Sequence, residues 1–261
     1  MINLPSLLRV KNLLVFVVAF FLLLFLPFQN NVIAKNFTID PSDSLSLISA
    51  INEANSNNEA DVINIATNSS YLLSKTDNLI YSNTGLPVIK SDIIINGNGA
   101  KIYRENSSEK FRIFAIQSLG KLTLNDITIS GGFSDDSNIG GGGILNFDGV
   151  LIINNSLISN NTALIGGGAG IWAGNESSTS IFKTTISDNN GGGPGGTLSI
   201  SSGGAFVKRG SGLFEVTDSI FSNNYAETIG GAIYSNSTGK IVLKNTKITN
   251  SSTRNGGGCD L

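Results

Sequence analysis

An internal repeat of about 30 residues constrains the fold of this chain more than any other feature. Five copies align on the last apolar residue of a strand-like segment, and these anchors are Ile129, Ile158, Ile186, Phe221 and Ile248. Successive anchors are 29, 28, 35 and 27 residues apart, and the longest spacing contains the glycine-rich insert at residues 191–196, which we expect in a loop. Repeats of this length and composition are typical of solenoids, in which each unit stacks only on its neighbours.

The aligned repeats share columns of similar residues. The position five residues before each anchor is always apolar: Leu124, Ile153, Ile181, Val216 and Leu243. The position seven residues before it is apolar in all copies but one: Leu122, Leu151, Thr179, Phe214 and Ile241. A hydroxyl residue follows each anchor: Ser130, Ser159, Ser187, Ser222 and Thr249. The next column is Gly131, Asn160, Asp188, Asn223 and Asn250.

A period of two within each segment indicates strands, and residues of one type a repeat apart indicate strands stacked in parallel, roughly 4.8 Å apart. Apolar columns then form a continuous core, and the asparagine column is expected to form a ladder of side-chain amides. We predict an all-β fold, a single-stranded right-handed parallel β-helix (solenoid) of six to seven coils with a short N-terminal capping helix. Leucine-rich-repeat, propeller and helical-repeat signatures do not occur.

The N-terminus carries a targeting signal. Arg9 and Lys11 precede an apolar run at residues 13–28, and Val32-Ile33-Ala34 supplies the small residues that a signal peptidase reads. We predict a signal peptide at residues 1–34, cleaved after Ala34, and a protein that is secreted or displayed at the cell surface or outer membrane. An uncleaved membrane anchor is the alternative.

A capping region is predicted at residues 35–65, as a strand, a helix and a strand. Leu47, Ala50, Ile51 and Ala54 are spaced as one face of a helix, with Asp43 or Ser44 as its N-cap. The β-helix repeats occupy residues 66–261 and are incomplete at the C-terminus. We therefore expect a fragment of a larger surface protein, a missing C-terminal anchor, or end-to-end stacking on another molecule.

Three short segments resemble known families. Residues 46–55 and 60–65 resemble the CSLREA motif of secreted right-handed β-helix proteins, although Leu45 stands where that motif has cysteine. Residues 93–102 resemble an early coil of the pectate-lyase-like β-helices, and we expect Gly97 and Gly99 to have positive φ there. Residues 221–224 and 230–233 are similar to the repeats of polymorphic outer-membrane proteins, a resemblance that implies surface adhesion.

The residues that carry chemistry do not converge on a catalytic site. The chain has no histidine, and residues 35–261 have 15 basic against 19 acidic residues, a net charge of −4 that disfavours nucleic acid. Asp135-Asp136 is interpreted as a solvated turn and Lys208-Arg209 as an exposed one. The mixed charges of Arg104, Glu105, Glu109, Lys110 and Arg112 are interpreted as surface solvation. We assign no catalytic, cofactor-binding or metal-binding residue.

Two aromatic residues are candidates for glycan contact. Trp172 follows the inward-facing Ile171, and Tyr234 follows Ile233 in a later repeat, so both are expected to point outward. We predict a non-catalytic scaffold for adhesion to a host or cell surface or for contact with extracellular polysaccharide. The alternative is a polysaccharide lyase acting on acidic glycans with a Lys or Arg base, and Ca²⁺ is a cofactor only in that case.

Overall fold

The computed structural model describes residues 33–106, 109–136, 138–192 and 202–254. The elements described below belong to a compact unit that begins at Ala34. The predicted signal peptide lies almost entirely outside the described residues, as do Cys259 and most of the glycine-rich insert.

The described chain is an all-β parallel solenoid of seven coils with one short helix, which confirms the predicted fold class. Strand β1 (Asn36–Ile39) and helix α1 (Ser44–Ala54) precede the coils. Coil 1 contains β2 (Asp61–Ile65) and β3 (Ser70–Leu73), coil 2 β4 (Asp92–Arg104) and β5 (Phe114–Ile116), and coil 3 β6 (Lys121–Ser130), β7 (Phe133–Ser134) and β8 (Ile144–Asn146). Coil 4 contains β9 (Val150–Asn154), β10 (Leu157–Ser159), β11 (Thr162–Ala163) and β12 (Ile171–Ala173).

The last three coils follow the same plan. Coil 5 contains β13 (Ser178–Phe182), β14 (Thr185–Ser187), β15 (Asn190–Gly191) and β16 (Phe206–Gly210). Coil 6 contains β17 (Phe214–Thr217), β18 (Ile220–Ser222), β19 (Tyr225–Ala226) and β20 (Ile233–Ser237), and coil 7 β21 (Ile241–Lys244), β22 (Lys247–Thr249) and β23 (Ser252–Thr253). Each coil thus contributes up to four strands, and the corresponding strands of successive coils pair in parallel. They form three sheets, because β4 and β6 join the first and second strands of the coils in one 13-stranded sheet. We count that sheet as two faces, so the solenoid has four faces, numbered in chain order.

The register of the first two faces is the one that the repeats predict. The five anchors stack on one another in sequence order on the second face. On the first face Leu124 pairs with Ile153, and the same column continues through Ile181, Val216 and Leu243. Leu124, Ile153, Ile181 and Val216 are buried, whereas Leu243 in coil 7 is 41% exposed. The apolar columns therefore form one continuous core.

The amide ladder lies one residue later than the sequence suggested. The expected column, from Gly131 to Asn250, is instead a column of turn residues with positive φ, between 51° and 73°. The following column holds the buried ladder, in which Asn161, Asn189 and Asn224 stack through side-chain hydrogen bonds of 3.0 Å. Asparagine suits both columns, because it tolerates the left-handed conformation and its amide can stack.

Helix α1 packs its predicted face against the first coils. Leu47, Ala50, Ile51 and Ala54 are buried in the core, and Asp43 is the N-cap, since its carboxylate accepts a hydrogen bond from the Ser46 amide. The hydrogen bonds from Ser46 hold the pKa of Asp43 below its usual value. Nowhere in the described part of the chain is there a helix long and apolar enough to cross a membrane.

The turn at residues 97–99 differs in detail from the expectation. Gly99 has positive φ as predicted, at +79°, but the other left-handed residue is Asn98, at 53°, and not Gly97. A Cβ at Gly97 would lie 2.4 Å from the Asp126 carbonyl oxygen and 2.5 Å from Ile127 Cβ. Glycine is thus required at position 97 because the next coil approaches its backbone closely.

Candidate functional site

Trp172 is not the exposed aromatic that its position after Ile171 predicted. It lies on the outer side of the fourth face, in one column with Leu145, Val207 and Tyr234, but only 5% of its surface is exposed. The expectation that it is exposed is therefore wrong. Tyr234 is partly buried against the same cluster. Glycan contact by Trp172 and Tyr234 remains a prediction.

The burial of Trp172 arises from chain segments that cover the fourth face. Tyr81 and Val88, which precede coil 2, and Ile139 and Phe147 from coil 3 pack into one outer apolar cluster with Trp172. The rings of Tyr81 and Phe147 are 5.0 Å apart. Burial and the nearby Asp148 carboxylate raise the pKa of Tyr81. This face therefore offers a second core and not an open aromatic platform.

Three cations that were interpreted as surface residues are buried. Arg104, Arg112 and Lys208 are 6%, 1% and 0% exposed, so these expectations are wrong, whereas Glu105, Glu109, Lys110 and Arg209 are exposed. Burial lowers the pKa of Lys208 to about 8 and that of Arg112 to about 10, although the Asp136 and Asp135 carboxylates act in the opposite direction on Arg112. The Lys208 ammonium donates to the carbonyls of Ser177 and Arg209. Lys208 lies two residues after the core residue Phe206, on the same side of the strand, so alternation predicts its burial and its charge does not.

A polar groove lies on the outside of the solenoid, at the corner between the second and third faces. Its volume is about 420 Å³, and it spans coils 2 to 5. We call it the corner groove, and its lining residues are Lys101, Tyr103, Arg104, Asn106, Ser130, Gly131, Asn160, Thr162 and Asp188.

The groove combines a half-buried aromatic ring with a free cation. The Lys101 ammonium lies 4.5 Å from the centre of the Tyr103 ring, and no ion-pair partner for Lys101 occurs among the described residues. Arg104 is fixed beneath them, because its guanidinium donates to the Gly131 and Glu105 carbonyls at 2.7 and 2.8 Å. Burial lowers the pKa of Arg104. The coil-2 end of the groove is consequently positive.

The opposite end of the groove is negative and otherwise polar. Asp188 in coil 5 lines the groove, and its carboxylate accepts a 3.3 Å hydrogen bond from the Asn223 amide. Between the two ends, coils 3 and 4 present the Ser130 and Thr162 hydroxyls and the Asn160 amide. Such a surface can stack on and hydrogen-bond to a hydrophilic, partly anionic ligand.

The sequence contained part of the signal for this groove. The repeats predict the serine column and the Gly131, Asn160 and Asp188 column, but only as parts of the solenoid and not as parts of a site. Tyr103 and Lys101 lie outside the five aligned copies, so no repeat argument could find them. Within the described residues, no three His, Cys, Asp or Glu side chains cluster as a metal site.

Comparisons with known proteins give fold-level likenesses at low similarity. No protein-family model matches the chain. No curated protein sequence matches it. Among solved structures, the PL6 family alginate lyase AlyGC is similar at 14% identity with a TM-score of 0.38, over 87% of this chain and 40% of that one. A point mutant of the same enzyme matches at 14% identity with a TM-score of 0.39, over 88% and 40%. The chain therefore spans about two fifths of the length of these lyases.

Proposed function

We propose that this protein is a secreted or surface-displayed, non-catalytic β-helix scaffold that contacts extracellular or surface polysaccharide through the corner groove. The observation that carries the proposal is the contact of Tyr103 with the Lys101 ammonium, which has no ion-pair partner among the described residues, in a groove lined otherwise by polar and charged groups. An aromatic ring beside a cation suits a sugar ring that bears a carboxylate. The groove replaces Trp172 as the preferred contact site, because Trp172 is buried.

Export is part of the proposal and rests on the sequence. The basic residues and apolar run of the N-terminus support a signal peptide, and the compact unit begins at Ala34, beside the proposed cleavage site. Adhesion to a host or cell surface, and a role as part of a larger surface protein, would follow from the same display of the groove.

A polysaccharide lyase of the same fold is the second candidate. Lys101 favours it, because an amine without an ion-pair partner in the described chain could act as a base. Among the described lining residues, Asp188 supplies the one carboxylate, whereas a Ca²⁺ site that neutralises a uronate requires several oxygen ligands. We therefore favour binding without cleavage.

The test uses residues 35–261 and gel-retardation affinity measurements on polyuronates. We expect Tyr103→Ala and Lys101→Met each to weaken retention roughly tenfold, as loss of a stacking or charged contact should. Two matched controls lie outside the groove. Phe182 is 39% exposed beneath Lys183, and Lys247 occupies the column of Lys101 in coil 7. Phe182→Ala and Lys247→Met should leave retention unchanged.

Equal effects of the groove variants and their controls would remove the corner groove as the contact site. The same samples, incubated with polyuronate and Ca²⁺, should give no unsaturated products by ultraviolet absorbance. If wild type forms unsaturated products and Lys101→Met does not, the protein is a lyase and the scaffold proposal is wrong.

A further inference from the structure

The lining of the corner groove repeats along the axis of the solenoid. Tyr103 and Ser130, which line the groove, are register partners in coils 2 and 3, and their column continues as the buried Ser159 and Ser187 in coils 4 and 5. The lining residues beside them also come one coil at a time, with Gly131 from coil 3, Asn160 from coil 4 and Asp188 from coil 5. Adjacent rungs are roughly 4.8 Å apart, so the groove offers a new polar set at each such step.

The backbone at the floor of the groove has the same turn conformation in three successive coils. Asn160 and Asp188 both have φ of 56°, and Gly131 has 73°. Their left-handed conformation is set by the turn that every coil makes at this corner, and the asparagine ladder directly after it is buried. A bound ligand therefore meets a preformed backbone corner, from which these side chains extend at regular intervals.

We propose that the corner groove holds an extended glycan strand parallel to the solenoid axis, with one sugar unit facing each of coils 2 to 5. An extended pyranose strand with equatorial linkages advances by nearly the same distance per sugar as the rungs. Successive sugars are rotated by about half a turn, so each coil can meet one sugar and equivalent hydroxyls face the groove at every second coil. This inference rests on the proposed function and specifies the orientation and linkage class of the ligand.

The charges give the bound strand a polarity. Lys101 and Arg104 lie at the coil-2 end and Asp188 at the coil-5 end. A carboxylated sugar is favoured beside the two cations, whereas a carboxylate facing Asp188 is repelled. The groove should therefore bind a strand carboxylated at one end better than a uniformly carboxylated one, and Asp188 should be the residue that makes this distinction.

The experiment measures the affinity of oligouronates by isothermal titration calorimetry. Affinity should increase from disaccharide to trisaccharide, whereas a fourth uronate faces Asp188 and should add affinity only in Asp188→Asn. Asn160→Gly should lower tetrasaccharide affinity about fivefold to tenfold by removing one ligand hydrogen bond. Asp188→Asn should raise the affinity for uniformly carboxylated tetrasaccharide by a similar factor.

Glycine and asparagine already occur in this column, so these variants preserve the turn. Asn155→Gly is the matched control, since Asn155 lies in the same coil as Asn160 and has φ of 50° but is at the corner between the first and second faces, outside the groove. It should leave affinity unchanged.

The outcomes separate the two proposals. If Tyr103→Ala and Lys101→Met weaken binding but affinity does not grow beyond the disaccharide, or Asn160→Gly has no effect, the axial arrangement is wrong and the proposed function stands. If no oligouronate or polyuronate binds, both are wrong.

Discussion

Lys208 places a titratable group inside the solenoid, on the same side of β16 as the core residue Phe206. Its ammonium is fully buried and donates to two carbonyls, those of Ser177 at 2.8 Å and Arg209 at 2.9 Å. The neighbouring interior also contains Asn146 and Thr179, which bond to each other at 3.3 Å. Thr179, the polar exception in its column, thus has a partner across the coils.

Lys208 should make the protein more stable at alkaline pH. Its folded pKa of about 8 lies below the unfolded value of 10.5, because burial disfavours the charged form. The unfolded state then binds more protons between these values, so stability increases as pH rises from 8 to 10.5. The full difference is on the order of 3 kcal/mol. Urea denaturation at pH 7 and pH 10 measures the free energy of unfolding. Between these pH values it should rise in wild type, relative to Lys208→Met, by up to that amount.

The exposed Lys240 provides the control for this comparison. Lys240→Met should show the same change with pH as wild type, since both proteins keep the buried lysine. A constant difference between wild type and Lys208→Met across this range would show that Lys208 does not titrate there.

Individual residues also show where sequence reasoning was insufficient. Ile171 and Trp172 do face opposite sides of their strand, as alternation predicts, but Tyr81 and Ile139 cover the outer side. These residues lie 91 and 33 positions away from Trp172 in the sequence. Burial of an outward residue depends on such remote segments, which a local pattern cannot reveal. Lys208 was misassigned for the related reason that a charged residue normally indicates exposure.

At the scale of elements, the helix and the strands of the repeats followed from periodicity. The apolar spacing of Leu47, Ala50, Ile51 and Ala54 gave both the helix and its buried face. The asparagine ladder was displaced by one residue, because every coil inserts a left-handed residue between its strand and the ladder. Two asparagine-rich columns are adjacent, and their composition alone does not distinguish a turn residue from a buried amide.

The buried ladder should contribute more to stability than the half-buried ladder on the first face. The Asn189 amide donates to the Ile158 carbonyl and to Asn224, and its oxygen accepts from the backbone and side chain of Asn161. Asn189→Ala leaves several of these buried groups without partners, at about 1 to 3 kcal/mol each. We expect Asn189→Ala to lower the free energy of unfolding, measured by urea denaturation, by at least about 3 kcal/mol.

Asn154→Ala is the comparison for the ladder. Asn154 donates at 2.9 Å to Asn125 in a stack that is only partly buried, so water can replace the lost bond. Asn154→Ala should therefore lower the free energy of unfolding by about 1 kcal/mol. Similar destabilisation by the two substitutions would contradict a special role for the buried ladder.

At the scale of the whole molecule, most of the stability arises between neighbouring coils, whose strands pair directly. Residues 150–177 make up one full coil, since Val150 pairs with both Lys121 below and Ser178 above. Their deletion joins Gly149 to Ser178 and places Ile181 over Leu124 in the vacated register. We expect the shortened protein to keep its β-sheet circular dichroism and to unfold cooperatively, at a somewhat lower temperature.

Deletion of residues 150–178 removes one residue more and should prevent folding. A shift by one position exchanges the two sides of a strand, so Ile181 would face outward and Ser180 would enter the core. The coil boundaries follow from the stacking of like residues, and this pair of deletions tests that stacking directly. Soluble protein with the same thermal unfolding from both deletions would mean that the apolar columns do not set the register.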